Sequence, residues 1–219
     1  MRILQRRHDG FTLIELLIVV AIIAILALIA VPNFLEAQVR AKVSRVKNDL
    51  RTIATGLEAY YVDWNSYTFG QGGRVLAGMI LLTTPVAYLT SIPGEVFAML
   101  HGQQTEGQTR GLVYELGVGD AGTKQPAGRS FSDPGLGMPS NCFMLESNGP
   151  DRWDDTRDTF QTGDFPWSWN PEDATIIAGA SALSYDPTNG TVSRGDILRF
   201  GGVRPGGTAY SVFWAASSK

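Results

Sequence analysis

Between Phe11 and Val31 the chain is apolar except for Thr12 and Glu15, so Glu15 is the one ionisable group in that run. A carboxylate in hydrocarbon costs about 2.5–3.5 kcal/mol at the bilayer centre and less near an end, so the chemistry open to it is charge pairing with a cationic partner. A second chemically capable stretch comes late: Asp151 to Asp196 holds nine acidic residues against three arginines. Such an excess suits a hard cation, which takes six to eight oxygens at about 2.3–2.6 Å. Asp154 with Asp155, or Asp151 with Asp158, could also serve as general acid and base, but nothing in the chain supplies the rest of an active site. The chain has one cysteine, Cys142, and two histidines, His8 and His101, which leaves almost nothing from which to build a zinc site or a Cys–His nucleophile pair. Cys142 reads as a small core hydrophobe within a strand. Trp153, Trp167 and Trp169 crowd the same acidic stretch, where they could bind a sugar or a partner or could pack beneath a long loop.

The element that carries Glu15 is a membrane span. Roughly 20 apolar residues at about 1.5 Å rise each cross a hydrocarbon core of ~30 Å. Arg2, Arg6 and Arg7 precede the run, which places that end in the cytoplasm and everything after Pro32 on the outer side. A secretory signal peptide fits poorly, because the run is too long and no A-x-A-like site precedes Val31. Pro32 lacks an N–H and crowds the carbonyl four residues earlier, so the helix is expected to kink or loosen near Ala30 to Pro32 and then resume. Beyond it Val39, Val43, Val46, Leu50, Ile53, Leu57 and Tyr61 recur at intervals of three and four, one apolar stripe of an amphipathic helix. Arg40, Lys47, Arg51 and Glu58 share another side, with Lys42 and Arg45 on the far flank. This mixed surface reads as solvated or subunit-facing and argues against nucleic-acid binding. The helix should end near Asp63, where Asp63 to Tyr67 gathers turn formers. A helix of about 52 residues would be roughly 78 Å long.

The chain has 219 residues and a formal net charge of −3, enough for the span and one outer domain. An acidic balance gives no general attraction to nucleic acid or anionic lipid, and a lone cysteine permits no intrachain disulfide. Gly111 to Leu116, Cys142 to Glu146, Ile176 to Tyr185, Ile197 to Val203 and Ala209 to Trp214 read as strands, the last a candidate edge. The segment from Gly102 to Pro139 otherwise reads as loop. Asp186-Pro187 and Asn189-Gly190 are ordinary hairpin turn signals.

The junction Gly10-Phe11-Thr12-Leu13-Ile14-Glu15, behind a basic leader, resembles the type III signal of type IV pilins and type II secretion pseudopilins. Leu57, Tyr60, Asp63 and Tyr67, followed by Leu81-Leu82-Thr83-Thr84-Pro85-Val86-Ala87-Tyr88-Leu89-Thr90-Ser91-Ile92-Pro93, look like the helix end of the major pseudopilin and the short helix and proline turn after it. Where that family usually has D-P-F, this chain has Glu95-Val96-Phe97. Ser147-Asn148-Gly149-Pro150-Asp151 resembles the opening of the family's calcium loop, and Asp196-Ile197 its close. The insertion from Arg152 to Ser184 is much longer than usual.

The resemblance implies an α+β fold: a long N-terminal helix packed on a small antiparallel sheet. Its divisions would be a leader at 1–10, a transmembrane and filament-core helix at 11–31, an amphipathic helix at 32–63 and a head at 64–219. It implies cleavage between Gly10 and Phe11 by a prepilin peptidase and methylation of the new amino terminus. In assembly the Phe11 amine of one subunit would meet the Glu15 carboxylate of a neighbour. Calcium held by Ser147, Asp151 and Asp196 is a further implication; a turn at Asp151 and a strand start at Asp196 account for the same residues without metal. The implied role is a structural, non-catalytic filament subunit with a single pass through a bacterial inner membrane and a periplasmic or extracellular head. Its partners would be copies of itself, the peptidase, the inner-membrane assembly platform and minor pseudopilins. The alternatives are a minor tip adhesin using the Trp-rich insertion to bind a glycan or protein and a membrane-anchored enzyme.

Overall fold

The computed structural model describes residues 11–68, 75–97, 113–118, 141–153, 185–186, 193 and 195–203. Helix α1 runs from Leu13 to Trp64, 52 residues, and passes through Pro32 without a break in its helical assignment. It ends where Asn65 adopts a left-handed φ of 52°, with the Asn65 N–H donating to the Tyr61 carbonyl at 2.8 Å. Helix α2 covers Val75–Ile80. It lies ahead of the segment from Leu81 to Pro93, so the short helix expected within that segment is displaced toward the N-terminus. Residues 81–84 instead form turns in which the Leu82, Thr83 and Thr84 N–H groups donate back to Met79 and Ile80 carbonyls.

Strands β1 (Glu115–Val118), β2 (Cys142–Ser147) and β3 (Ile197–Gly202) form an antiparallel sheet in that order. The first strand thus starts later than the pattern from Gly111 suggests, with Val113 making only an isolated bridge to Gly94. The two other strands that fall among the described residues lie where the alternation places them. The strands expected at 176–185 and 209–214 fall, apart from Tyr185, outside the described residues.

The chain divides into two compact units, residues 1–39 and 40–219. In the first, the described residues are helical from Leu13 onward and their large apolar side chains are exposed, among them Leu13 at 83 % and Leu28 at 78 %. Water does not favour such a surface; hydrocarbon or another apolar helix does.

The second unit has its own core. Val43, Val46, Leu50, Ile53 and Leu57 are buried, as the 3.6-residue period requires, and Tyr61 at the stripe's end is half-buried. Ala54 and Gly56 widen the buried face. A Cβ on Gly56 would stand 2.9 Å from Leu89 Cγ, so the missing side chain lets the Leu89 loop lie against the helix. The sheet contributes Leu116, Phe143, Leu145 and Ile197, and Tyr114, Met79, Leu82 and Phe97 complete the interior. Phe143 faces Gly201 across the β2–β3 ladder, where a Cβ on Gly201 would collide with its ring. The ring fills the space the glycine leaves and meets Tyr67 edge-on at 4.9 Å.

Side-chain bonds from Asp49 and Glu58 tie the helix to the chain packed on it. Tyr114 donates its hydroxyl to Asp49 at 2.9 Å, Gly202 donates its N–H to Glu58 at 3.0 Å, and Tyr67 donates its hydroxyl to the other Glu58 oxygen at 3.1 Å. Glu58 is exposed, on the side it shares with Arg40, Lys47 and Arg51, and is also a joint between helix and sheet.

Candidate functional site

The first candidate site is the start of α1. Thr12 precedes the first helical residue and Glu15 stands three places on. The Thr12 N–H donates to Glu15 Oε2 at 2.9 Å, the Thr12 hydroxyl donates to the same oxygen at 2.6 Å, and the Glu15 N–H donates to Thr12 Oγ1 at 3.3 Å. This reciprocal pattern is a capping box, which satisfies helix N–H groups that lack intrahelical acceptors. Glu15 therefore has two compatible uses: it caps its own helix and it presents an exposed carboxylate four residues after Phe11, itself 76 % exposed. Thr12 was not singled out from sequence, although a T-x-x-E pattern ahead of an apolar run is the signature of this cap. Gly10 and the arginines of the leader lie outside the described residues.

The second candidate lies in the head, where Ser147 ends β2 and the chain turns through Asn148 to Arg152. Gly149 has a φ of 66° and Arg152 a φ of 62°, and the Arg152 N–H closes the turn on the Gly149 carbonyl at 3.2 Å. Asp151 Oδ1 accepts the Trp153 N–H at 3.3 Å. A Cβ on Gly149 would come within 2.5 Å of the Gly195 carbonyl, so only a glycine lets this turn press on the segment that leads into β3. That contact brings the Ser147–Asp151 turn beside Gly195 and Asp196, the two ends that the sequence pairs. Asp196 is fully buried, and its carbonyl accepts the Tyr185 N–H at 3.0 Å.

Ser147 donates its hydroxyl to Glu95 Oε1 at 2.8 Å, and the same oxygen accepts the Phe97 N–H at 2.8 Å. Glu95 thus reaches the backbone two residues ahead at the position where the D-P-F pattern is replaced by Glu95-Val96-Phe97. Burial, with a smaller push from nearby Asp49, raises its carboxyl to about 7, while the bonds from Phe97 and Ser147 work against that rise. Burial also pushes the Cys142 thiol up to about 12, which suits a core hydrophobe and not a nucleophile.

Two carboxylates, a hydroxyl that has given its hydrogen away, and nearby backbone carbonyls are a donor chemistry that fits a hard cation. No group of three or more His, Cys, Asp or Glu side chains suited to a metal occurs among the described residues, so oxygens of other kinds would have to complete the shell. Asp154, Asp155, Asp158, His101, Trp167 and Trp169 lie outside the described residues.

Residues 5–31 match the family model for the prokaryotic N-terminal methylation motif. The chain is 46 % identical to the type IV wide pilus major component PilA4 of Thermus thermophilus, over 40 % of this chain and 66 % of that protein. It is 41 % identical to the type II secretion system core protein G of Pseudomonas aeruginosa, over 32 % of this chain and 49 % of that one. With the core protein G of Aeromonas hydrophila, the match reaches past the helix, at 26 % identity over 57 % of this chain and 93 % of the relative. The methylation motif and these pilin and pseudopilin relatives together support the type IV pilin and pseudopilin family for this chain. Its α+β architecture, a long apolar N-terminal helix with a three-stranded antiparallel sheet, is that of a pilin-like fold. Against the first two of these relatives the chain covers less than two thirds of their length. No solved structure matches the pilin-like chain significantly. The relatives are named as pilus and secretion-system proteins, and the one long apolar helix among the described residues fits a membrane-anchored chain.

Proposed function

We propose that this protein is the structural subunit of a filament, a type II secretion pseudopilus or a type IV pilus-like fibre, with no catalytic role of its own. The observation that carries the reading is the first unit: an apolar helix whose large side chains are exposed, with one carboxylate near its start. Such a surface is stable in a bilayer and equally so against copies of itself, so a subunit can pass from one to the other without exposing the helix to water. Prepilin peptidase would cut between Gly10 and Phe11 on the cytoplasmic side and leave a methylated amine on Phe11. That amine, on a neighbouring subunit, is the cation Glu15 requires. The Thr12 bonds hold the Glu15 charge ready until the amine arrives.

The same reading places the head outside the inner membrane, with an assembly platform and minor pseudopilins as partners. Calcium is proposed for the head. Asp151 and Asp196 would hold it, and Ser147 would add its oxygen, since its hydrogen points to Glu95. Subunit-resolved electron microscopy of the assembly tests the function. A helical fibre with the apolar helices bundled along its axis is expected, and a dispersed, monomeric membrane protein would refute it.

A further inference from the structure

The last turn of α1 carries a second patch of chemistry that the filament reading does not use. Trp64 stacks on Tyr60 one turn earlier, with ring centroids 5.8 Å apart and planes 18° from parallel. Tyr88 meets Tyr60 edge-on at 5.6 Å and 69°. The Trp64 indole N–H donates to the Tyr88 hydroxyl at 3.2 Å, and that hydroxyl donates to Asp63 Oδ2 at 2.6 Å. The indole's polar edge is therefore satisfied internally and its ring is fixed, yet Trp64 remains 56 % exposed beside an exposed carboxylate. A fixed π face next to a carboxylate attracts a cation. A guanidinium fits best, because it can stack flat on an indole while donating to a carboxylate in the same plane.

Charge along the helix says where that cation comes from. From Arg40 to Arg51 there are five basic residues and one acid, and from Thr52 to Trp64 there are two acids and no base. The one acid in the basic segment, Asp49, is already bound by Tyr114. Arg45 is 72 % exposed, and its ion pair with Asp49 is long, at 3.8 Å. A helix that is basic along one stretch and acidic and aromatic along the next is complementary to a shifted copy of itself. A shifted contact of this kind is heterologous, the class that builds open filaments.

We propose that the Asp63–Trp64–Tyr88 cluster of one subunit receives the Arg45 guanidinium of a second copy, stacked on the indole and paired with Asp63. The inference rests on the filament reading and adds to it a contact between heads, distinct from the pairing at Glu15. The separation of Arg45 and Asp63 along the helix implies copies offset by about 27 Å, at 1.5 Å per residue.

The test uses the full chain expressed in its membrane and reads filament yield and disulfide trapping. Arg45→Glu leaves the aromatic cluster intact and should lower filament yield about tenfold or more with processing unchanged, since like charges then face each other. Asp63→Arg should do the same, and the two reversals together should restore assembly. Chains carrying Arg45→Cys mixed with chains carrying Asp63→Cys should form disulfide-linked pairs in filaments, Cys142 being buried. Full yield from both single reversals, failure of the double reversal to restore assembly, or filaments without the cross-link would overturn this contact while leaving the filament reading in place. Absence of filaments from the unaltered chain would overturn both.

Discussion

Glu58 lies one residue past Leu57 on the helix, and its carboxylate holds the N–H of Gly202, at the far end of β3, at 3.0 Å. Its other oxygen accepts the Tyr67 hydroxyl, and burial together with the Glu58 charge pushes that phenol upward. One side chain thus joins the helix, the turn after it and the last described strand. Glu58→Ala should destabilise the head by about 1–2 kcal/mol, the lower part of the range for bonds to a charged acceptor because Glu58 is exposed. Thermal melting of the detergent-solubilised chain should show a midpoint lower by roughly 2–8 °C. An unchanged midpoint would reduce Glu58 to a surface residue.

Glu95 makes stability depend on pH in an unusual direction. Its folded value of about 7 lies above the ordinary 4.5, so the folded state binds its proton more tightly than the unfolded chain does. The stabilisation is fully present below about pH 4.5 and is lost as pH rises through about 7, a change of about 3 kcal/mol. Glu95→Gln keeps an acceptor for Phe97 and Ser147 and should flatten this part of the profile. Urea denaturation at pH 5 and pH 8 in chelator checks it, and equal slopes for the two proteins would contradict it.

How far the sequence could be read follows from the range of each interaction. The span, the stripe from Val43 to Leu57 and the strands at Cys142 and Ile197 were legible because each is written in a local period or composition. Glu58, Glu95 and Gly201 were not, because their partners lie 144, 52 and 58 residues away and no local pattern names them. The displaced α2 shows the limit of a motif: the resemblance located the turn segment but not which of its flanks coils. At the N-terminus the T-x-x-E cap was local and readable, yet Glu15 drew attention only as a buried charge.

Replacing Glu15 with Ala should separate insertion from assembly. Removing the charge makes the span cheaper to insert, by no more than about 2.5–3.5 kcal/mol. It also removes the partner of the incoming amine. Membrane levels and processing should therefore hold or rise while filaments fail, and Asp at this position should restore some assembly. Fractionation of cells into membrane and sheared-fibre pools reads both quantities. Wild-type fibre yield from the Ala variant would end the charge-pair account.

Calcium should stabilise the head if Asp151 and Asp196 hold it. A ligand bound only by the folded state contributes about 2.7 kcal/mol at a hundredfold excess over Kd. The melting midpoint should rise on passing from chelator to millimolar calcium, and Asp151→Ala or Asp196→Ala should abolish the rise. An identical midpoint in both conditions would leave the turn and the Gly149–Gly195 contact as structural features alone.

The central claim is that this chain is cut after Gly10 and built into a fibre through the helix so exposed. Intact-mass analysis of the chain recovered from the sheared-fibre fraction tests both halves at once. A mass beginning at Phe11 and carrying one added methyl group is the expected result. A chain that begins at Met1, one trimmed near Val31, or the absence of the chain from that fraction would contradict it.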